Sequence, residues 1–261
     1  MRKTMNLDCQ VFSDAASYVG RWLTLQPAVK EESLTDWLLF EISSKLPNVH
    51  YLAFSRHIEA RKTGADWEWW FLFRNGSYRY RIQAKKAKPA GDNYPGIAYT
   101  NQYGLQIDKL IGDAKIANAI PAYVVFSATQ NPSSSKCRGM VNATGAFSVG
   151  AQEAYAQLIA PGKTTIDESR LLSHSIPMQC FACCPYRARA DRMDDFIETY
   201  FRSEATALSE SNSDRTPGFH SELPAYANAL LEHRDGTSAW IECEFDGQLT
   251  DINALLIYDM R

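Results

Sequence analysis

The stretch "GADWEWWFLFRNGSYRYRIQAKKAK", Gly64 to Lys88, decides how the chain is read. Side chains on a strand alternate between faces, so residues two apart share one. From Asp66 to Phe73 this puts Asp66 and Glu68 on one side, with Trp67, Trp69, Phe71 and Phe73 on the other. From Ser77 to Lys86, Tyr78, Tyr80, Ile82 and Ala84 form an apolar row, and Arg79, Arg81, Gln83 and Lys85 a polar one. Arg74-Asn75-Gly76-Ser77 lies between them, and Asn-Gly flanked by such runs predicts a hairpin turn. Closing the hairpin brings the apolar rows together and turns Asp66, Glu68, Gln83 and Lys85 outward together.

The neighbouring sequence supplies the other elements. In "KEESLTDWLLFEISSKLPN", Leu34, Trp37, Leu38 and Ile42 recur at helical spacing and Pro47 supplies the stop, with Glu41 at the edge of the apolar stripe. "VHYLAFSRH" (49–57) reads as a strand. After a Gly/Pro/Asn-rich loop, "NQYGLQIDKLIGDAKIANA" reads as a helix and "AYVVFSAT" as a buried strand. Residues 31–128 thus run helix, three strands, helix, strand, an α/β sandwich with a mixed sheet. A helix over "SDAASYVGRWLTL", capped by Ser13 or Asp14, occupies 1–30.

Residues 129–261 read as a mainly helical elaboration of the same globule. A strand is expected at "AFSV", and helices at "GAQEAYAQLI", "IDESRLLSH", "RADRMDDFIETYFRSEA" and "LPAYANALLEH". Closing strands are expected at "AWIECEF" and "DINALLIYDM", and "TQNPSSSK" and "LSESNSDRTPG" read as loops.

A chain of 261 residues with 45% hydrophobic content buries a sizeable core, and a net charge of −3 marks no global nucleic-acid binder. No secretory signal and no run of about 18 uncharged apolar residues is visible, so a soluble, cytoplasmic protein with no membrane partner is expected. The six cysteines are therefore read as reduced thiols. Cys180, Cys183 and Cys184 have C-x-x-C spacing with His174 upstream, but no second pair has ligand spacing; Cys137 and Cys243 stand apart. A structural zinc site is accordingly not expected, and buried small hydrophobes are the plainer reading. No phosphate-binding loop, nucleophile elbow or H-E-x-x-H motif is present; "APGKTT" (160–165) has only the tail of the first.

Two acids, a carboxamide and a lysine on one strand face suit Mg²⁺ chemistry, because hard oxygen donors hold the ion and a neighbouring ammonium offsets charge growing on phosphorus. On the strands alone, solvated cross-strand pairs are the plainer reading of the same charges. Order and spacing add a resemblance. The aspartate of "GAD", followed sixteen residues later by "QAK" on the next strand of a helix-strand-strand-strand-helix-strand run, resembles the PD-(D/E)XK nuclease superfamily, the restriction-endonuclease-like fold. "EESLTDWLLFEI", "GADWEWW" and "RIQAKK" look most like an uncharacterised bacterial group found near phage-defence genes, with an E-x-x-T helix followed by GADW and QAK.

This resemblance covers 31–128 and implies an αβββαβ core and an Mg²⁺-dependent endonuclease, with Mn²⁺ able to substitute, that hydrolyses phosphodiester bonds in DNA as an antiphage effector. It implies Asp66 as chief metal ligand, Gln83 as second ligand and Lys85 as the residue that positions water or neutralises charge. An acid from the first helix often completes such a site; Glu41 and Glu32 are the candidates, with Glu59 and Glu68 as further acids. Gln83 stands where glutamate is commoner, which removes a charge from the site. Arg79, Arg81, Lys86 and Lys88, together with Arg56, His57, Arg61 and Lys62, would hold substrate phosphates. Arg187, Arg189 and Arg192 are read as loop and helix start. RNA is a second possible substrate, and a homodimer or a defence-system protein a possible partner. The alternative is a catalytically inactive nucleic-acid-binding or protein-interaction module on the same fold.

Overall fold

A computed structural model describes residues 6–54, 64–88, 94–102, 104–130, 136–137, 144–158, 162–184, 193–211, 215–232, 238–249 and 252–261. The chain begins with helices α1 (Leu7–Leu25) and α2 (Glu31–Lys45), then strands β1 (Val49–Ala53), β2 (Trp67–Phe73) and β3 (Gly76–Lys86). A 3-10 turn (Pro95–Ala98), the short pair β4 (Thr100–Asn101) and β5 (Gly104–Leu105), α3 (Gln106–Ile116), β6 (Ile120–Gln130) and β7 (Thr144–Gly150) follow. Next come α4 (Ala151–Leu158), α5 (Glu168–Ser173), β8 (Ile176–Pro177), α6 (Cys180–Cys183), α7 (Met193–Tyr200) and α8 (Arg202–Ser211). The chain closes with β9 (Phe219–His220), α9 (Ala225–Glu232), α10 (Ser238–Glu244), α11 (Asp246–Leu249) and β10 (Ala254–Asp259).

The main sheet is mixed, in the order β1-β10-β2-β3-β6-β7-β8, with β9 pairing the start of β3. The expected hairpin forms with its register intact: Trp67 faces Ile82, Trp69 faces Tyr80 and Phe71 faces Tyr78. Its apolar rows join α1, α2, α6, α7 and α8 in one core, centred on Trp67, Trp69, Phe71, Tyr80 and Phe181. Each large side chain so buried contributes about 1.5–3 kcal/mol.

The opposite face differs from the expectation that its polar row turns outward. Trp70 and Leu72 share that face, and α3, α4, α5 and α9 cover it in a second apolar core. Every residue of β2 is buried as a result. The turn is also one residue tighter than expected, since Phe73 pairs with Gly76 across Arg74 and Asn75. Gly76 is needed for close approach: a Cβ there would lie 2.5 Å from the Phe219 ring.

β10 enters between β1 and β2, antiparallel to the first and parallel to the second. The three expected strands are therefore not consecutive neighbours, and the C-terminal segment is part of the central sheet. α1 starts earlier than expected, capped by Asn6 rather than Ser13 or Asp14, because Cys9, Val11 and Phe12 extend its buried stripe upstream. "AWIECEF" is helical rather than a strand: Phe245 N–H donates to Ile241 O at 3.0 Å, and buried Ile241 anchors the turn. The expected single helix over 189–205 is two, α7 and α8, in its described part.

The expectation of reduced cysteines fails at one pair. Cys9 and Cys183 form a disulfide that ties α1 to α6, while Cys180 and Cys184 are free and buried. Cys137, expected to stand apart, hydrogen-bonds Cys180, and that contact together with burial raises the Cys180 thiol far above its usual range. Among the described residues, no helix is long and apolar enough to cross a membrane.

Candidate active site at the end of the central strands

Asp66 lies one residue ahead of β2, yet it extends the ladder, its N–H donating to Ile82 O at 2.7 Å. Continuing the Trp67–Ile82 register by one residue sets Asp66 opposite Gln83. The carboxylate accepts the Ala84 N–H at 2.7 Å through Oδ2. Gly64 makes this approach possible. Its φ is +74°, and a Cβ there would meet Gln106 O at 2.7 Å, so the first residue of the motif packs directly on the start of α3.

Lys85 shares the face of Asp66 and Gln83, and its ammonium lies 3.7 Å from Glu31 Oε1. Glu31, the first residue of α2, also accepts the Lys86 N–H at 2.6 Å through Oε2. The helix is thereby pinned to the end of β3. Glu31 and Glu32 join Asp66, Trp67, Ala84 and Asn253 in lining a cavity of about 170 Å³. Gln83 and Lys85 are not among its walls.

Burial raises the Asp66 carboxyl above the usual range, against the opposing pull of Lys85 and the Ala84 N–H. Burial likewise pushes Glu31 up to about 7, with Lys85 opposing and Asp66 adding to the rise. Two amide oxygens beside Asp66, Gln83 Oε1 and Asn253 Oδ1, are buried without a hydrogen-bond partner among the described residues. Leaving a buried acceptor unpaired costs about 1–3 kcal/mol, so a cation or donor that reached either oxygen would be stabilised there.

Sequence reasoning named Glu32 and missed Glu31, its neighbour in the same first turn. It also missed Asn253, whose N–H donates to Asp66 O at 2.8 Å from the start of β10. No spacing in the sequence signals a partner so far along the chain.

Glu41 is not part of this site. It sits ten residues along α2, roughly 15 Å away, in an i,i+4 ion pair with Lys45. Glu68 is fully buried elsewhere on the face, where it pairs Arg79 at 2.6 Å and Arg81 at 3.0 Å and accepts from Trp70 Nε1 and the Tyr226 hydroxyl. Burial alone would push Glu68 up, but the two guanidiniums outweigh it and hold the carboxyl below its ordinary value.

Arg79 and Arg81, expected to hold substrate phosphates, are consequently enclosed beside Glu68. Lys86 Nζ is spent on the carbonyls of Pro27 and Val29. Lys88 alone of the four expected contacts is exposed, at a neighbouring cavity. Glu59, Arg56, His57, Arg61, Lys62, Arg187, Arg189 and Arg192 lie outside the described residues. Among the described residues, no three His, Cys, Asp or Glu side chains form a group that could hold a metal.

Fold and site together define a mixed α/β protein with a pocket lined by Asp66, Glu31, Glu32 and Asn253 at the end of its central strands, and with Lys85 paired to Glu31 beside it. Residues 8–256 match the model of a family of unknown function, DUF6615, and the chain belongs to that family. No curated protein and no solved structure matches it.

Proposed function

We propose that the protein is a metal-dependent nuclease of restriction-endonuclease-like fold that hydrolyses phosphodiester bonds in DNA, acting in antiphage defence. The observation that carries this reading is the meeting of Asp66, on β2's threshold, with the Gln83-Ala84-Lys85 segment of β3 and the first turn of α2.

The donor set suits a hard divalent cation: one carboxylate, two unpaired amide oxygens and a second carboxylate at Glu31. Asp66 and Gln83 would hold Mg²⁺, with Asn253 and Glu31 completing the oxygen set. When bound, the ion supplies Lewis acidity at the phosphate oxygens. Lys85 directs an N–H at the attacking water and offsets charge on the phosphoryl oxygens. That water's oxygen would form a bond to phosphorus as the bond to the leaving sugar oxygen breaks; the attacking water would give up one proton to solvent, and the leaving oxygen would take one up from solvent. The half-enclosed cavity strengthens each of these electrostatic contacts relative to open water.

The alternative, a nucleic-acid-binding or protein-interaction module without catalysis, draws support from the bonds already made. Asp66 is committed to Ala84 N–H and Glu31 to Lys86 N–H, and no third carboxylate joins them in a metal-binding group among the described residues. Cleavage decides between them. Purified protein should cut labelled single- or double-stranded DNA or RNA with Mg²⁺ and not with EDTA, and Asp66→Asn should lower the rate at least a hundredfold. Binding without cleavage of any of these substrates favours the module; equal rates in wild type and Asp66→Asn reject this site.

A further inference from the structure

A second cavity, of about 360 Å³, is built from the same strand end as the Asp66 pocket. Ala87 and Lys88 line it, two to three residues beyond Lys85 on the same chain, or roughly 7–10 Å at strand rise. The link between α1 and α2 separates the two spaces. Pro27 lines the second cavity and Glu31 the first, with Lys86 Nζ bonded to the carbonyls of Pro27 and Val29 between them.

The walls are chemically divided. Leu23, Pro27 and Phe126 give apolar surface, Lys88 lies exposed, and Glu168 is only 8% exposed. Glu168 Oε2 accepts the Thr129 hydroxyl at 2.7 Å, and Oε1 lies 3.4 Å from the Tyr94 hydroxyl. A carboxylate offers about four acceptor positions, so these two contacts leave capacity unused. An apolar slot with a buried acceptor and an exposed ammonium matches a nucleotide, base inside and phosphate at the cation.

We propose that this cavity receives the nucleobase next to the phosphate at the Asp66 pocket, and that Glu168 selects a base carrying an exocyclic amino group, cytosine over thymine. The proposal rests on the nuclease reading for its substrate class. A carboxylate accepts from the cytosine amino group, whereas thymine offers a carbonyl oxygen at the same position and repels it. The Thr129 hydroxyl holds the carboxylate in place, which fixes where the amino group must arrive.

The test is fluorescence anisotropy of the full chain with labelled short oligo(dC) and oligo(dT), in EDTA so that no cleavage intervenes. Oligo(dC) should bind about tenfold tighter. Glu168→Gln should bring the two within about twofold. Ala128→Trp, which fills the cavity from an exposed position on its wall, should do the same and keeps the test open should the first variant not fold. Equal binding of the two oligonucleotides by wild type, binding of neither, or a preference that survives both variants overturns the proposal. Equal binding together with Mg²⁺-dependent cleavage overturns it while leaving the nuclease reading intact. A cytosine preference lost in both variants, with no cleavage under any condition, upholds the pocket and overturns the nuclease reading.

Discussion

Asp66 stands opposite Gln83 across the central hairpin, and its carboxylate reaches over to accept the N–H of Ala84 at 2.7 Å. That bond fixes one oxygen to the partner strand, beside a carboxamide oxygen left without a hydrogen bond among the described residues. The pairing is set by the register of Trp67, Trp69 and Phe71 against Ile82, Tyr80 and Tyr78, so the aromatic core places the polar site.

Gly64→Ala should damage both stability and the site. The left-handed φ and the approach to Gln106 O leave no room for a methyl group. A loss of about 1–3 kcal/mol is expected, read as a lower midpoint in denaturant unfolding, with weaker activity from displacement of Asp66 two residues on. An unchanged midpoint would mean that the loop relaxes freely.

Glu68→Gln should be a stability variant. The substitution removes the carboxylate that pairs both Arg79 and Arg81 and leaves Arg81 only Asp113 at 3.7 Å among the described residues, and breaking a buried pair from one side costs about 3–5 kcal/mol. Activity per folded molecule, measured well below the melting temperature, should stay within a few-fold of wild type. A hundredfold loss with the fold intact would place Glu68 in the chemistry instead.

Glu204 should make stability depend on pH. It is buried at the start of α4, where Oε1 accepts the Glu153 N–H at 3.1 Å, and burial pushes its carboxyl up to about 7 from an ordinary 4.5. Between those values the folded state holds a proton that the unfolded state has lost. Stability therefore falls as pH rises through this window, by up to a few kcal/mol, and levels off above it. Glu204→Gln keeps the acceptor and removes this titration, so its unfolding free energy should fall less steeply over the same range, keeping only the share that comes from Glu31 and Asp66, which burial also raises. A variant with the wild-type slope would assign the dependence to another group.

Much of the fold was legible because the hairpin carries two consistent periods: apolar residues alternate on both strands and a turn signal joins them. What period could not reveal was that the polar face is buried too. Trp70 and Leu72 were visible there, but α3 and α9 cover that face from distant sequence. The insertion of β10 between β1 and β2 is equally non-local, and with it Asn253. "AWIECEF" misled because seven residues of mixed apolar and acidic character fit either period, and packing of Ile241 chose the helix. At the site, the Asp66–Gln83–Lys85 grouping follows from strand parity alone. Choosing Glu31 over Glu41 required the angle at which α2 meets the end of β3.

Asn253→Ala tests the residue that only the folded chain brings in. Its buried oxygen is unpaired among the described residues beside Asp66, so its removal should weaken Mn²⁺ binding about tenfold, measured by calorimetry, with little change in melting temperature. Unaltered affinity would remove Asn253 from the ligand set.

The proposed hydrolysis depends on a metal held in the pocket at Asp66. Anomalous diffraction from crystals soaked in Mn²⁺ tests this most directly. The expected result is a single strong peak about 2–2.5 Å from an Asp66 oxygen and from Gln83 Oε1, absent in Asp66→Asn. A pocket without a peak, in crystals soaked at a Mn²⁺ concentration that saturates the protein in solution, or a peak ligated by other residues, would contradict it.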